Sequence, residues 1–502
     1  MNSNIIYDEQ NDNLYILIYK LGKGACATVW FSIELFKFLQ TIKNKKINVS
    51  YKALKIHNPE DNDEGILETK IEELVPKNNI DSQYINYPIS HFIIDDIVIV
   101  VYDVAIGSLY DILKLHNKKL PIEFIEKIIP QMVKSINLLH HNGYIHTDIK
   151  PENFLLSGLN FFQNDIITFV KKYDLYSKFK LTKKIIINKK NMMDIIYEPI
   201  YHMLNDLSIK FDIIDNIVDE DNDKTDDEDE DNDEEEDEDN DEDKDEDEDE
   251  DNDEDDEDED EDNQEGTQSD ISDFNSISTY NSKKNEYFDE YDKFNINKIL
   301  KLEAIGKNKY SDLSEDDNDD IKSTDSKSKI NIERDKEYIK KYLDNPKILL
   351  MDFGLMQKKE TVSRTVQTRY YRSPEIFFGL KYDYKIDYWA LGCTLYELLT
   401  GTIMINVEKS EFNGKYDRDL INIKLLIEKI EQIGYVNIKE MAQKSSRKMY
   451  LLNDDNTLKY FRDIEYDNWK LNELLQNINK KYIDFIDNLL QINPKSRNLA
   501  LI

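Results

Sequence analysis

The chain has 502 residues, of which 65 are Lys or Arg and 104 are Asp or Glu, so its formal net charge is −39. The acidity is concentrated in residues 219–262, where 37 acidic residues and two lysines carry −35 and leave −4 for the rest of the chain. The rest therefore has an ordinary charge balance with no general basic face, which argues against direct binding of nucleic acid.

Cysteine content and the N-terminus exclude several other classes of protein. Cys26 and Cys393 form neither a metal-binding spacing nor a disulfide framework, which is typical of a reducing compartment, and both are expected to be small buried side chains. The N-terminus lacks the basic and apolar regions of a signal peptide, and the longest apolar run, near Ile97–Tyr102, is too short to span a bilayer. We expect a soluble, monomeric, intracellular protein without membrane contact, located in the cytoplasm, with the nucleus left open.

The first part of the chain is predicted to contain strands and then helices. Apolar alternation predicts the strands, and apolar residues at helical spacing predict the helices. The predicted elements are two strands around a glycine turn within 14–35, a strand at Tyr51–His57, a short helix over 64–75, a buried strand at Ile97–Val104, and a helix over 122–141 that stops at Asn142 and Gly143. Strands followed mostly by helices predict an α+β fold with two unequal lobes.

A long insert interrupts this pattern at residues 158–345. Its part 219–330 is predicted to be disordered, because dense like charges repel and too little apolar surface is available to offset the chain entropy. For residues 160–217, where apolar side chains lie among lysines, both helix and loop remain open. The apolar segments on either side, Phe154–Leu156 and Ile348–Leu350, can still pair, since the cost of loop closure grows only with the logarithm of loop length.

Beyond the insert the chain reads as compact again, with helical patterns over 385–401, 419–433 and 470–490. We divide the chain into four predicted segments: 14–105 as the strand-rich small lobe, 106–157 as the first part of a large lobe, 158–345 as the insert, and 346–502 as the remainder of the large lobe.

The stretch Tyr144–Asn153 is the most informative motif, because it places Asp148, Lys150 and Asn153 within six residues. Phosphoryl transfer from ATP needs this set together: a carboxylate for the nucleophile's proton, a cation for the moving phosphoryl group, and an amide oxygen for Mg²⁺. The pattern Asp-x-Lys-x-x-Asn rarely arises by chance. Asp148 and Lys150 are therefore candidate catalytic residues, and Asn153 is a candidate magnesium ligand.

A glycine motif, Gly22–Val29, lies between the first two predicted strands of 14–35. Taken alone it is weak evidence, and an ordinary hairpin turn is the default interpretation. Lys55 on the next strand favours a nucleotide-binding turn instead. It follows the glycine motif at the sequence separation expected of a lysine that holds the α- and β-phosphates. The candidate nucleotide-binding residues are Leu21, Gly22, Lys23, Gly24, Ala25, Cys26, Ala27, Thr28, Val29, Ala53, Lys55, Glu68, Tyr102, Asp103 and Ala105.

Glu68 is the predicted partner of Lys55, because neighbouring apolar residues of its helix can face the core beside it. Glu72 and Glu73 are on the same helix, and at least two of the three carboxylates are expected on a solvated face.

Asp352-Phe-Gly354 follows a short predicted strand, and the Asp352 carboxylate is a second candidate magnesium ligand. Two further acidic residues are given structural roles. Asp387 is expected to hydrogen-bond the backbone of the catalytic loop, and Glu375 is expected to pair with Arg497.

These five motifs, in this order, resemble eukaryotic-type serine/threonine protein kinases over 14–157 and 346–502, about three fifths of the chain. Gln367–Glu375, with Arg372, is similar to the end of the activation segment in the CMGC group of kinases. Together with His146–Asn153 it looks more specifically like the SR-protein kinase family, which phosphorylates serines in Arg-Ser repeats and carries a long polar spacer at the same point. The resemblance implies a bilobal kinase fold, ATP and Mg²⁺ as cofactors, and basic Arg/Ser-rich protein substrates. It also implies that Tyr102 borders the adenine pocket and that Asp103–Ala105 form the hinge backbone between the lobes.

Thr147 stands where most regulated kinases carry an arginine that pairs with a phosphate on the activation loop, and threonine cannot supply that charge. The resemblance therefore implies a kinase that is active without activation-loop phosphorylation. It also places Asp417, Asp419, Glu428 and Glu431 in the region that docks basic peptides, although ordinary solvated helix charges are the competing interpretation. The acidic tract either attracts Arg-rich partners or serves only as a solvating spacer.

Two other functions remain open. One is a CMGC kinase nearer the dual-specificity groups, with a different substrate. The other is a catalytically silent kinase fold that serves as a scaffold. Silent kinases usually lose the lysine, the catalytic aspartate or the magnesium aspartate, whereas this chain retains Lys55, Asp148 and Asp352.

Overall fold

A computed structural model of the chain gives the architecture. It describes residues 4–43, 47–173, 175–178, 192–211, 326–359, 366–405, 435–445, 448–457, 475 and 478–499, all within one compact unit. The acidic tract, the predicted helix over 419–433 and the four acidic residues proposed for peptide docking lie outside the described residues. The last five residues of the range predicted to be disordered, 326–330, begin a helix.

A six-stranded antiparallel sheet forms the small lobe, in the order β1-β2-β3-β4-β6-β5. Its strands are β1 Ile5–Asp8, β2 Asn13–Lys23, β3 Ala27–Leu35, β4 Val49–His57, β5 Ser90–Ile94 and β6 Ile97–Tyr102. The rings of Tyr15 on β2 and Phe92 on β5 stack with their centroids 5.7 Å apart. The sheet is therefore curled, so that strands that are not neighbours meet across an apolar interior.

The start of the sheet and its first helices differ from the prediction. Strand β1 lies before residue 14, where the predicted sheet began, and pairs with β2 from Ile5 opposite Ile16. The single helix predicted over 64–75 is two helices, α2 Asn62–Thr69 and α3 Ile71–Leu74, separated at Lys70. A short helix α1, Phe38–Lys43, follows β3.

Among the described residues, the large lobe contains two further sheets and most of the helices. Its strands are β7 Ala105–Ser108, β8 Tyr144–Ile145, β9 Phe154–Ser157, β10 Ile348–Leu350 and β11 Gln357–Lys358. Its helices are α4 Leu109–Leu115, α5 Ile122–His141, α10 Pro374–Phe377, α11 Lys385–Thr400, α12 Tyr435–Lys444, α13 Lys448–Leu451 and α14 Lys480–Leu489. The predicted pairing across the insert is confirmed, because β10 runs antiparallel to β9 with Leu350 opposite Phe154.

The described part of the segment predicted as an insert contains four helices: α6 Phe161–Lys172, α7 Leu175–Lys178, α8 Met192–Phe211 and α9 Ser326–Asp344. Buried residues of α6 and α8 share one apolar cluster with the outer face of β1–β3, and this cluster includes Ile16, Phe31, Ile166, Ile196 and Leu207. We call these two helices the outer helical layer. Residues 161–172 and 192–211, which the sequence left open between helix and loop, are therefore helical and cover one face of the small-lobe sheet.

The outer helical layer also contacts the connection between the lobes. Asn160 and Gln163 form a capping box at the start of α6, in which each side chain accepts from the backbone N–H of the other. The Gln163 side chain donates to the carbonyl of Ala105 at 3.0 Å, and the Asn160 side chain donates to that of Ile106 at 3.3 Å. The backbone predicted as hinge is therefore held from the insert side by two buried amides.

Helix α9 connects this region to the large lobe. Its Ile339 and Leu343 are buried in the large-lobe core, and the Arg334 guanidinium lies 4.2 Å from the ring centroid of Phe161 on α6. In the part of the chain that the structure describes, no helix is both long enough and apolar enough to cross a membrane.

Candidate active site

A cleft of about 1500 Å³ brings together the predicted site residues from both lobes. Asp148, Lys150, Asn153 and Asp352 line it, together with every predicted nucleotide-binding residue except Thr28. Thr28 is buried on β3 between Ala27 and Val29, which do line the cleft, because successive side chains of a strand alternate between its two faces.

The glycine motif forms the turn between β2 and β3 at the edge of this cleft. The turn is tied to the following segment, since Asn58 donates to the carbonyls of Ala25 at 2.5 Å and Cys26 at 2.9 Å. A Cβ at Gly22 would meet no protein atom within 4 Å, so packing inside the protein does not require glycine there. Cys26 is half-buried and lines the cleft, contrary to the expectation of a buried side chain, because it lies at this turn.

Lys55 lies between two carboxylates. Its Nζ donates to Glu68 Oε1 and, at 2.7 Å, to Asp352 Oδ1. Burial lowers the pKa of Lys55, but the two carboxylates outweigh it and raise that pKa above the usual range, so the lysine stays charged. Burial alone would raise the pKa of Asp352, yet the Lys55 ammonium holds it well below its usual value. The other candidate partners of Lys55, Glu72 and Glu73, are exposed.

Three side chains donate to the Asp148 carboxylate: Lys150, Thr368 and Asn153, whose amide lies 3.1 Å from Oδ2. Lys150 Nζ lies 2.7 Å from Oδ2, and the Thr368 hydroxyl donates to Oδ1 at 2.7 Å. Lys150 also donates to the Thr368 hydroxyl at 3.1 Å. The Asn153 amide donates to the Asp148 carbonyl at 2.7 Å, which leaves the oxygen of that amide available as a ligand. The carboxylate is thus fixed in orientation before any substrate binds.

Asp387 at the start of α11 holds this loop through hydrogen bonds to its backbone. Its two oxygens accept the backbone N–H groups of His146, at 2.9 Å, and Thr147, at 3.0 Å, and its Oδ2 lies 2.8 Å from the Nε2 of His140. These bonds hold Thr147 at a φ of +70°, in the left-handed region that threonine rarely adopts. The structural role predicted for Asp387 is confirmed.

Glu375 and Arg497 form the predicted ion pair. Two guanidinium nitrogens donate to the two carboxylate oxygens at 2.7 and 2.8 Å, and both side chains are buried. Arg497 also donates to backbone carbonyls of Gln491, Lys385 and Ile492, so its buried charge is well supplied with acceptors. The pair joins α10, after the activation segment, to the end of the described chain.

The end of the activation segment is held by groups of the protein itself. Gln367, with a φ of +71°, accepts the Ser373 N–H at 2.9 Å and donates to the carbonyl of Ile386 at 3.0 Å. Arg372 donates to the carbonyls of Val366 at 3.1 Å and of Gln367 at 3.0 Å. Thr147 donates its hydroxyl to the carbonyl of Leu355 at 2.8 Å. The two ends of this segment are therefore fixed by internal hydrogen bonds.

Asn153 and Asp352 fit a magnesium ion by their chemistry. Both offer oxygen ligands, which Mg²⁺ prefers, and Asp352 stays ionised because of Lys55. The Met351 N–H donates to the Asn153 carbonyl at 3.0 Å, which fixes the two segments side by side.

Sequence reasoning missed several residues of the cleft, above all Thr368 and Glu152. Thr368 follows Asp148 by 220 positions, so no local spacing could connect them. Glu152 lies inside the catalytic motif, and its Oε2 is buried with no hydrogen-bond partner among the described side chains and backbone. Burial, together with nearby Asp148 and Asp111, raises the pKa of Glu152. The cleft therefore contains a buried carboxylate oxygen that no described group of the protein binds.

A β-rich small lobe, a helical large lobe and a lysine–carboxylate cleft between them define the class of protein as a protein kinase. The family model described as "Protein kinase domain" matches residues 15–174 and 339–500, well over half of the chain. The chain belongs to this family, and the predictions of an α+β bilobal fold and of a serine/threonine protein kinase are confirmed.

The curated relatives are also kinases by name. L205 of Acanthamoeba polyphaga mimivirus, which bears a serine/threonine-protein kinase name, is 25% identical over 517 residues, covering 97% of this chain and 85% of the relative. The serine/threonine-protein kinase SRPK of Physarum polycephalum is 30% identical over 142 residues, 27% of this chain and 32% of the relative. The dual specificity protein kinase YAK1 of Saccharomyces cerevisiae is 42% identical over 71 residues, 14% and 9% of the two chains. The SR-protein kinases and the dual-specificity kinases, the two groups that the sequence resembles, are thus both represented among these relatives by name.

Proposed function

We propose that this kinase transfers the γ-phosphate of ATP to serine and threonine hydroxyls in basic, Arg/Ser-rich proteins, without prior phosphorylation of its activation segment. The observation that carries the proposal is the Asp148 carboxylate, held by Lys150 and Thr368 in the cleft that also contains the Lys55–Glu68 pair.

ATP is proposed to lie under the glycine turn. Val29, Ala53 and Tyr102 supply apolar wall for the base, and the backbone from Asp103 to Ala105 supplies polar groups beside it. Lys55 contributes its fixed positive charge to the phosphates. Gly22 lets the turn approach them closely, since only glycine leaves that space open.

Asp148 is proposed to accept the hydrogen of the substrate hydroxyl and to orient its oxygen toward the γ-phosphate. Lys150 would stabilise the negative charge of the transferring group from a position beside Asp148. Thr368 keeps both side chains in place through its hydroxyl. Asn153 and Asp352 would hold Mg²⁺, which when bound supplies neutralisation of phosphate charge.

The preference for basic substrates is proposed from the acidic groups around Asp148. Glu152, Asp111 and Glu397 all line the cleft, and Asp111 is already occupied as the cap of α4, where it accepts from Ser108. Glu397 accepts the Tyr371 hydroxyl at 2.6 Å. Glu152 has the free buried oxygen, so it is the proposed acceptor for a substrate guanidinium.

The variant Glu152→Gln tests this preference. A hydrogen bond to a charged group contributes roughly 1.5–3 kcal/mol, so kcat/KM for an Arg-Ser repeat peptide should fall by about 10- to 100-fold. A peptide with the arginines replaced by glutamine should lose little. The exposed carboxylate of Glu123 provides the control Glu123→Gln, for which both peptides should be unaffected. Equal losses for both peptides would show that Glu152 has no role in recognising arginine.

Independence from activation-segment phosphorylation is proposed from Thr147. Its hydroxyl and N–H are used within the protein, on Leu355 and Asp387, and the far end of the segment is fixed by Gln367 and Arg372. Ordering of these two ends does not need an added phosphate.

Phosphatase treatment of recombinant protein should therefore leave kcat within about twofold of the untreated enzyme, because no phosphate-dependent ion pair is broken. Mass spectrometry before and after treatment shows whether the segment carried phosphate. A loss of tenfold or more on removing such a phosphate would contradict the proposal.

The dual-specificity alternative is favoured by the match to YAK1. It is distinguished by the same peptide assay when a tyrosine peptide and a generic basic protein are included. Phosphate transfer to tyrosine, or indifference to arginine, would favour that alternative.

A further inference from the structure

The buried carboxylate of Glu68 has different partners on its two oxygens. Oε1 accepts from the Lys55 ammonium, whereas Oε2 accepts from the hydroxyl of Tyr102 at 2.8 Å. The Nε2 of His57 lies 3.8 Å from the same Oε2, beyond hydrogen-bond distance. Glu68 and His57 are fully buried, and Tyr102 is nearly so. The carboxylate that fixes Lys55 is therefore itself fixed by a tyrosine of the nucleotide cleft.

Strand register explains why these groups converge. Ala53 pairs with Tyr102, and Lys55 pairs with Val100, on the adjacent strands β4 and β6. Alternation puts Ala53 and Lys55 on one face of β4, and Tyr102 on the same face of β6, diagonal to Lys55. Ala53 and Tyr102 pack together in one apolar cluster with Ile66 of α2. Both donors therefore point toward the helix that carries Glu68.

The Tyr102 hydroxyl is a permanent donor. Burial and the negative charge of Glu68 raise the pKa of Tyr102 well above its usual value, so the phenol keeps its proton. A hydrogen bond from a neutral hydroxyl to a buried carboxylate is short and strong compared with one between neutral groups.

We propose that Tyr102 is a positioning residue for phosphoryl transfer, because its hydroxyl holds Glu68 in the orientation that pairs with Lys55. This inference rests on the proposed function in one respect, that Lys55 holds the ATP phosphates. Tyr102 also lines the cleft, so one side chain both borders the base and sets the lysine that contacts the phosphates.

The orientation of Glu68 matters because Lys55 has a second carboxylate, that of Asp352, beside it. Lys55 also donates to Asp352 at 2.7 Å. Loss of the tyrosine hydroxyl leaves Oε2 without that donor. The Nε2 of His57 lies 3.8 Å from the same oxygen, and the ring nitrogens of His57 have no hydrogen-bond partner in the described part of the chain. Glu68 would turn toward His57, and Lys55 would then be paired with Asp352 alone and would lose the carboxylate that fixes its position.

The variant Tyr102→Phe tests the proposal, since it removes the hydroxyl and keeps the ring. Calorimetric titration with adenosine and with ATP separates the two roles of this side chain. Adenosine should bind as to wild type, whereas ATP affinity and kcat/KM for ATP should each fall by about tenfold, as expected for one lost charge-assisted hydrogen bond. In a Glu68→Gln background, the additional loss on introducing Tyr102→Phe should be less than about twofold.

Tyr15 offers a matched control. It is a fully buried tyrosine in the same sheet, and its hydroxyl donates to the Glu34 carboxylate at 3.2 Å. Tyr15→Phe should lower the melting temperature but leave both affinities unchanged. Equal weakening of adenosine and ATP by Tyr102→Phe, or no weakening of ATP, would overturn the proposal. Absence of phosphate transfer by the wild type would refute the proposed function instead, and the two binding titrations would still decide the role of Tyr102.

Discussion

Replacing Asp148 with Asn is expected to lower kcat by about three orders of magnitude, because the group that accepts the substrate hydrogen is lost. The carboxylate now accepts from Thr368 on one oxygen and contacts Lys150 on the other. An amide can offer an oxygen to only one of these two donors, and its NH₂ group would face the other. ATP binding should change little, because Asp148 is proposed to act on the substrate hydroxyl rather than on the phosphates.

The measurement is steady-state transfer of radiolabelled phosphate to an Arg-Ser repeat peptide, with ATP affinity determined separately by calorimetry. Asp344 at the end of α9 is exposed, and its backbone carbonyl, which the substitution keeps, accepts from Lys127, so Asp344→Asn is a suitable control. A kcat for Asp148→Asn within tenfold of wild type would contradict the assigned role. It would also revive the hypothesis of a scaffold whose site is silent.

Replacing Asp352 with Asn is expected to lower kcat/KM for ATP by about three orders of magnitude, since it removes an anionic oxygen proposed for Mg²⁺. The wild-type carboxylate stays charged because the Lys55 ammonium, 2.7 Å away, keeps its pKa below the usual range in spite of burial. Asparagine keeps an oxygen ligand but not the charge. The magnesium concentration required for half-maximal activity should therefore rise as well.

Magnesium titrations of activity at saturating peptide check this result. The exposed pair of Lys77 and Glu72, 2.6 Å apart on the surface of the small lobe, supplies the control Glu72→Gln, which removes a lysine-bound carboxylate that does not line the cleft. An unchanged magnesium requirement for Asp352→Asn would show that this residue is not a ligand.

Spacing within the sequence predicted those parts of the site that are local. Asp148, Lys150 and Asn153 lie in one short loop, so their proximity follows from the motif itself. Lys55 and Glu68 are 13 residues apart on a strand and the next helix, which restricted the choice of partner to three carboxylates. The β9–β10 pair was predictable across the insert, because two short apolar segments flanked it.

The remaining contacts depend on tertiary packing that no local pattern encodes. Thr368 reaches Asp148 only after the chain has crossed the insert and the activation segment. The Tyr102 hydroxyl reaches Glu68 because of the register of β4 and β6, whereas the sequence indicated only the apolar side of that residue. The sequence showed that residues 160–217 contain apolar side chains, but it did not predict that these would cover a face of the small-lobe sheet.

The outer helical layer determines the order in which the small lobe can be completed during protein synthesis. Ile16 and Phe31 leave the ribosome long before Ile196 and Leu207, which cover the same face of the sheet. At about 5–20 residues per second, roughly ten to thirty seconds separate the end of β3 from the end of α8. The catalytic loop is made within that interval, while the apolar outer face of the sheet still lacks its cover. The small lobe, although it comes first in the sequence, is thus completed only after residues beyond the catalytic loop have been synthesised.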